Sequence, residues 1–326
     1  MKPIVKDLPN FNNVIEDYDV VDCTIRNPDT FYFLARAQEP DSMTGDNSYL
    51  FDDKAITYNL LCYMRTEPIE EQFFIANDNI SGYDFPKIEM TYVPLEQVIL
   101  FDGSKSSFNS GSGRSEFEDT LDLIGSIKAK CISDKIYVAQ NKRAVRYRSS
   151  EGIWHKIGKN DISFEYDLSD FSQFEKGFYD VDGFDENNIY AVGGDGDVWR
   201  CINSEWIQCG FPTNLRVGNV CCAGDGKVYI SGTEGITYVG IEDSWDRVKG
   251  DTVSLPFKDI VWHEDRVWCS NDYGLWWIKD GLLEAADVPL EVIGCSRSLS
   301  SRFGKLLVAG FGGAALHENG EWTLLF

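Results

Sequence analysis

Short apolar runs that end near a turn residue recur at a constant spacing in the second half of the chain. Successive runs start 39 residues apart, at Ile189, Val228, Val267 and Leu306. A glycine lies seven residues after each start, at Gly196, Gly235, Gly274 and Gly313. The runs are rich in β-branched and aromatic residues and lack a helical period, which is typical of β-strands. A fixed period of about 40 residues indicates one repeated structural unit.

The same unit extends upstream of these four runs. Runs starting at Ile136 and Val98 continue the series, with about 14 extra residues inserted between the units that start at Ile136 and Ile189. Residues 19–25 and 31–35 resemble one more, degenerate unit. We therefore expect a single domain, residues 1–326, in which 98–326 are regular repeats and 1–97 are one or more irregular N-terminal blades.

A repeat of this length built from short strands and glycine turns predicts a four-stranded propeller blade. The predicted fold class is all-β, a single β-propeller, with seven four-stranded blades favoured and six as the alternative. In each blade the strands are named a to d from the ring axis outward, and each apolar run is strand b. Strand a is predicted just before several of the runs, at residues 123–129, 178–181, 217–222, 259–263 and 290–295.

One blade contains a segment with a known counterpart. Residues 270–277 read Ser-Asn-Asp-Tyr-Gly-Leu-Trp-Trp, which is similar to the Asp box of sialidase-type propellers, with Trp276 in place of the usual Thr. The chain as a whole resembles bacterial single-domain propellers of the broad WD40-like and sialidase-like superfamilies, although it lacks the paired Gly-His and Trp-Asp signatures of WD40 repeats. An Asp box stabilises a hairpin, so this resemblance implies a fold and no particular activity.

Blade topology assigns the loops to two faces. The b–c turns and the connections between blades lie on one face, the bc face, and the a–b and c–d turns lie on the opposite ab face. The b–c turns contain acids and one tyrosine, and a Ser-rich loop is expected at 103–114. The insertion 161–175 combines acids with aromatic residues. This composition is often found on surfaces that contact other proteins. The alternative is that the insertion folds its aromatics onto its own blade. The candidate partner-binding residues are Asp161, Phe164, Glu165, Tyr166, Asp167, Asp170, Phe171, Asp195, Glu234, Asp272 and Tyr273.

A single basic cluster follows the run that starts at Ile136. It consists of Lys142, Arg143, Arg146 and Arg148. These side chains could bind an anion, but we favour the simpler interpretation that they pair with the acidic insertion of the same blade.

The charge balance restricts the classes of partner. The chain carries 30 Lys plus Arg and 53 Asp plus Glu, a formal net charge of −23. Nucleic acids and anionic membranes are bound through phosphate neutralisation by Lys and Arg, so neither is expected as a partner. A basic protein partner is favoured instead.

Compartment is inferred from hydropathy and cysteine usage. The first ten residues contain no apolar run of signal-peptide length, and no segment approaches the roughly 20 apolar residues that span a bilayer. The nine cysteines are scattered, and several lie inside apolar runs, which favours reduced core thiols. We expect a soluble, cytoplasmic protein that is monomeric by default.

Enzymatic function has weak support in the sequence. His155, His263 and His317 occupy different places in their blades, so we expect no metal site, and no cofactor-binding motif is present. The favoured function is a non-enzymatic inhibitor or immunity protein that neutralises a basic partner such as a toxin or nuclease domain. The alternatives are a sialidase-type or other carbohydrate-active propeller and a constitutive assembly scaffold.

Overall fold

Each apolar run of the repeat is the second strand of a four-stranded antiparallel sheet. The computed structural model describes residues 15, 17–38, 58–66, 73–81, 86–102, 105–109, 114–118, 121–164 and 176–326. Within these residues the strands form seven sheets, and the four antiparallel strands of each sheet follow chain order from the inner to the outer strand. The chain is thus an all-β propeller. Its seven described sheets agree with the favoured prediction of seven blades and not with the alternative of six.

The strands succeed one another blade by blade along the chain. Blades 1 to 4 contain β1 (Tyr18–Asn27), β2 (Thr30–Ala37), β3 (Tyr58–Arg65), β4 (Phe73–Ser81); β5 (Lys87–Thr91), β6 (Gln97–Asp102), β7 (Lys105–Asn109), β8 (Ser115–Glu118); β9 (Ser126–Ile132), β10 (Lys135–Gln140), β11 (Ala144–Ser150), β12 (Ile153–Lys156); β13 (Asp180–Asp185), β14 (Asn188–Gly193), β15 (Asp197–Ile202) and β16 (Glu205–Gln208). Blades 5 to 7 contain β17 (Val217–Cys222), β18 (Val228–Gly232), β19 (Thr237–Ile241), β20 (Ser244–Arg247); β21 (Lys249–Gly250), β22 (Asp259–His263), β23 (Arg266–Asn271), β24 (Gly274–Lys279), β25 (Leu282–Ala285); β26 (Ser298–Arg302), β27 (Lys305–Gly310), β28 (Gly313–Glu318) and β29 (Glu321–Leu324). The short β21 adds a fifth, parallel strand to the outer edge of blade 6.

The inner strands close a ring around a central axis. The strands β1, β5, β9, β13, β17, β22 and β26 each contact the next, and β26 contacts β1. None of the described strands is shared across the junction, because β1 and β29 belong to separate sheets. Side chains close the ring there: the rings of Phe33 and Phe326 meet edge-to-face at 5.0 Å, and Leu325 is fully buried.

The second strands are apolar because they are covered on both faces by neighbouring blades. Residues 136–139, 189–192 and 306–309 are each 3% exposed or less. The recurring tryptophans fill the space between blades. Trp206 packs against Phe178 with ring centres 5.4 Å apart, and its Nε1 donates to the carbonyl of Ile157 in the preceding connection.

A glycine ends several of these runs because the chain entering the blade crosses the end of strand b. A Cβ on Gly193 would lie 1.9 Å from the carbonyl oxygen of Gly177, and one on Gly232 would lie 2.4 Å from that of Arg216. Both contacts are too short for any side chain, so the backbones can meet only at glycine.

The inner strands are predicted less accurately than the second strands. Residues 217–222 and 259–263 coincide with β17 and β22, whereas 123–129 and 178–181 start two or three residues before the observed strands. The prediction at 290–295 is wrong: Leu290–Gly294 is a short helix, α1, and the inner strand is β26. In a window this short the helix and strand periods cannot be told apart, although Val292 and Cys295 are buried at helical spacing. The loop expected at 103–114 contains strand β7.

Candidate protein-binding face and axial channel

Four of the described candidate residues lie in b–c turns, and therefore on the bc face. Asp195 and Glu234 lie in the b–c turns of blades 4 and 5, and Asp272 and Tyr273 form that of blade 6. Residues 161–164 begin the connection from blade 3 to blade 4. The other candidates in the insertion lie outside the described residues, and these are Glu165, Tyr166, Asp167, Asp170 and Phe171.

The acids on this face differ in how far their charge is neutralised. Asp195 and Glu234 are exposed and form no salt bridge with another described residue. The Asp161 carboxylate accepts hydrogen bonds from Lys156 Nζ at 2.8 Å and from the backbone of Ser163, and these contacts hold its pKa below the usual range.

Asp272 is largely neutralised by its neighbours. Its Oδ1 lies 2.6 Å from Arg297 Nη1 and its Oδ2 lies 3.7 Å from Lys258 Nζ. The turn of the Asp-box-like segment is held by the preceding residue, because Asn271 Oδ1 accepts from the backbone N–H of Tyr273. Asp272 therefore ties blade 6 to blade 7 instead of closing its own hairpin.

Large apolar side chains project from the same face on blades 6 and 7. Leu255, Tyr273, Leu290 and Phe311 are 44%, 76%, 81% and 53% exposed, and they lie on successive loops around the ring. We refer to these four residues as the apolar patch. Only Tyr273 was among the candidate binding residues predicted from the sequence. The other three could also have been recognised there, because each is an apolar residue next to proline or glycine in a loop, where solubility alone favours polar residues.

The basic cluster pairs with acids of neighbouring blades. Arg143 Nε lies 2.7 Å from Asp197 in blade 4, and the guanidinium stacks on Phe164 at 5.3 Å. Arg148 is fully buried and forms an ion pair with Glu118 of blade 2. Most acids of the insertion lie outside the described residues, so the expected pairing of the cluster with the insertion stays a prediction. Half-buried Phe164 folds against Arg143, as the alternative interpretation of the insertion proposed.

Polar side chains at equivalent positions of the inner strands link the blades along the axis. One carboxylate oxygen each of Asp22, Asp180 and Asp259 accepts a backbone N–H of the next blade at 3.0 Å. Lys128 Nζ donates to Asp180, Asn219 and Asp259 at 2.8–3.2 Å. Because every one of these bonds joins two blades, the polar network holds the inner strands together.

A cavity of about 190 Å³ lies among the inner strands. Burial raises the pKa of Glu89 to about 7 and that of Asp182 to about 6, although the charge of Lys130 opposes both shifts. The sequence carries a signal for the polar network beside this cavity, because Asp180, Asn219, Asp259 and Ser298 recur at intervals of 39 or 40 residues.

Two of the three histidines meet. His263 Nε2 lies 3.0 Å from His317 Nδ1, although the different places of the histidines in their blades led us to expect no shared site. Those places were compared within single blades, whereas β22 and β28 belong to adjacent blades. His155 is separate and lies 2.9 Å from Ser149 Oγ.

All nine cysteines are described and all are free thiols. Burial raises the pKa of each, for example to about 12 for Cys131 and Cys295. A thiol held protonated is a poor nucleophile and a poor metal ligand. The cysteines therefore act as apolar packing groups.

Comparisons with known proteins support this fold. No family model matches the chain. A curated protein named "Immune protein Tsi7" from Pseudomonas aeruginosa is 27% identical over 218 residues, which cover 65% of this chain and 70% of that protein. Virginiamycin B lyase from Staphylococcus aureus has a TM-score of 0.65 at 8% identity, covering 92% of this chain and 94% of the lyase.

The WD40 β-propeller domain of Doa1 has a TM-score of 0.59 at 10% identity, covering 91% of this chain and 92% of that domain. The described residues contain no helix that is long and apolar enough to cross a membrane. At such low identities the solved structures establish architecture alone. The chain is accordingly similar to WD40-like propellers in fold and to an immune protein in sequence.

Proposed function

We propose that this protein is a cytoplasmic, non-enzymatic immunity protein that binds and neutralises a toxin protein through its bc face. The sequence similarity to a curated immune protein over most of the chain supports the biological role. The propeller supports protein binding, since a rigid ring of strands presents loops from every blade on one surface. The lyase among the structural neighbours does not argue for an enzyme, because similarity at 8% identity reports the fold alone.

The observation that carries the proposal is the apolar patch. Its four side chains are exposed on consecutive loops, and Tyr273 and Phe311 are of the type that dominates binding energy when a partner buries them. The guanidinium of Arg297 lies over the Phe311 ring, 4.5 Å from its centre, and adds a planar cation beside this member of the patch. Tyr, Phe and Arg surrounded by polar loops match the usual composition of a protein interface.

Acidic residues would complete the interface as a rim. Asp195 and Glu234 are exposed on blades 4 and 5. In the proposal the acids and aromatics of the insertion extend the same face, and these are Asp161, Phe164, Glu165, Tyr166, Asp167, Asp170 and Phe171. A rim of carboxylates favours a basic toxin surface, through the rate of association more than through the final affinity. The protein acts as a monomer in this scheme, and each chain covers one toxin.

Coexpression with the protein encoded by the adjacent reading frame tests the proposal. The wild type should restore host growth, and the triple variant Tyr273→Ala/Leu290→Ala/Phe311→Ala should fail to do so, because the loss of three interface anchors costs several kcal/mol of binding. The matched control is Leu95→Ala/Ile207→Ala, which removes exposed apolar side chains from the ab face and an outer strand. Equal loss of protection in the control would instead favour the scaffold alternative, in which blade edges make the contacts.

The charge on the insertion is tested separately. Replacing Asp161 and Asp170 with Asn, Glu165 with Gln and Asp167 with Asn should weaken capture of the purified toxin and reduce its dependence on salt. Unchanged affinity and unchanged salt dependence would remove the insertion from the interface while leaving the apolar patch in place.

A further inference from the structure

Two buried imidazoles face each other between blades 6 and 7, on the ab side of the ring. His263, at the end of β22, and His317, on β28, are 2% and 6% exposed, and His263 Nε2 lies 3.0 Å from His317 Nδ1. Glu264 follows His263 in the turn to β23, and its Oε1 lies 3.7 Å from the same Nε2 atom. One nitrogen of each histidine and one carboxylate oxygen thus lie within 4.8 Å of one another.

We propose that His263, His317 and Glu264 bind a divalent transition-metal ion, with Zn²⁺ as the best match. Two imidazole nitrogens and one carboxylate oxygen are the ligand set of an open zinc site, in which water takes the fourth position. Nitrogens that each lie about 2.0–2.1 Å from a tetrahedral zinc are roughly 3.3–3.4 Å apart. To share an ion, the two nitrogens must give up their direct hydrogen bond and separate by a few tenths of an ångström.

Neighbouring side chains restrain both imidazole rings, which are hydrogen-bonded directly to each other. Ser301 Oγ lies 3.3 Å from His263 Nδ1. A hydroxyl oxygen that accepts a hydrogen bond from Nδ1–H selects the tautomer with its lone pair on Nε2, the atom nearest His317 and Glu264. The ring of His317 is packed 4.9 Å from Trp322 and 5.8 Å from Trp268, which restricts its rotation. Little conformational entropy therefore remains to be lost when the ion binds.

The electrostatic environment is compatible with a cation. The nearby cation Arg266 is paired with Asp265 at 2.8 Å, and Glu264 supplies the negative charge. An ion at this position would connect β22 of blade 6 to β28 of blade 7, on the opposite face from the apolar patch. The site is therefore independent of the proposed interface.

The test uses the full-length protein after treatment with a chelator. Zn²⁺ is titrated in competition with a chromogenic chelator, and Co²⁺ is added separately to record its visible d–d bands. We expect one ion per chain, a rise in Tm with Zn²⁺, and Co²⁺ bands of a site with fewer than six ligands. Glu264→Gln should weaken Zn²⁺ binding by at least about tenfold, and Ser301→Ala by about tenfold. The matched control is His155→Gln, which removes the remaining histidine and should leave affinity unchanged.

Glu264→Gln keeps the experiment decisive, because this side chain is partly exposed and its replacement does not disturb the core. The double variant His263→Gln/His317→Asn should bind no Zn²⁺. The proposal is overturned if the wild type binds no Zn²⁺ in competition with the chelator. It is equally overturned if Glu264→Gln and the wild type bind with the same affinity, or if His155→Gln is the variant that loses binding.

Discussion

The side chain of Glu89 lies in an environment that disfavours the ionised form of its carboxyl group. It lines the axial cavity, and its Oε1 accepts hydrogen bonds from Thr24 Oγ1 and from the backbone of Met90. Burial nevertheless raises its pKa to about 7 from an ordinary value of 4.5. The native state therefore binds this proton more tightly than the unfolded chain, and this group makes stability fall as the pH rises from about 4.5 to about 7.

Glu89→Gln should remove that pH dependence, since the amide resembles the protonated acid and keeps the accepting oxygen. The variant should match the wild type near pH 4.5 and become more stable by up to about 3 kcal/mol above pH 7. Urea unfolding at a series of pH values measures this difference, with Glu205→Gln, an exposed acid on an outer strand, as the control. A constant difference between Glu89→Gln and the wild type at all pH values would contradict the assignment.

Individual residues were the hardest part to predict from the sequence. The acids in the b–c turns were placed on the correct face, but Asp272 is paired with Arg297 of the next blade, and His263 meets His317, 54 positions away. A repeat reveals which positions are equivalent within blades. It does not reveal which side chains touch across two blades, because those contacts depend on the rotation between neighbouring sheets.

Among the strands, β11 and β8 are joined by a buried ion pair. The guanidinium of Arg148 contacts the Glu118 carboxylate and donates to Gln97 Oε1 at 2.8 Å. Glu118 also accepts hydrogen bonds from Ser106 Oγ and the backbone of Gly152. The pair therefore fixes the packing of blade 3 on blade 2 and is fully satisfied by hydrogen bonds.

Arg148→Met should destabilise the protein by about 3–5 kcal/mol, because it leaves Glu118 buried without a counter-charge. The double variant Arg148→Met/Glu118→Gln should recover much of this loss, since no charge remains buried and the acceptor for Ser106 and Gly152 is kept. Arg114→Met, which breaks solvent-accessible pairs with Glu116 of blade 2 and Glu151 of blade 3, should change stability by less than about 1 kcal/mol. Denaturant unfolding measures all three, and equal losses in the single and double variants would exclude a charge effect.

Strands could be predicted from the sequence where the same packing requirement recurs in every blade. Strand b needs apolar residues on both faces and often a glycine at its end, so the sequence alone locates β10, β14, β18, β23 and β27. Strand a contacts the polar axis on one face and carries a less distinctive pattern, which is why α1 was mistaken for an inner strand. The partial match of residues 270–277 to the Asp box correctly indicated a hairpin between β23 and β24, with Asn271 in the stabilising role.

Over the whole molecule, the net charge of −23 and the apolar patch should control different stages of partner binding. Charge is spread over the chain, and much of it on the bc face is neutralised locally, as at Asp272 and Asp197. Long-range attraction of a basic partner thus depends on the total charge, while the duration of the complex depends on the side chains it buries.

Kinetics with the purified toxin partner should separate the two contributions. Raising ionic strength from about 0.05 to 0.5 M should slow association at least tenfold and change dissociation little, because the Debye length falls well below the dimensions of the protein. Asp195→Asn/Glu234→Gln removes only two of 53 acids and should slow association less than about threefold. Tyr273→Ala/Phe311→Ala should leave association nearly unchanged and accelerate dissociation by more than about tenfold. If the acid variant instead reproduced the full effect of salt, steering would come from those two carboxylates and not from the overall charge.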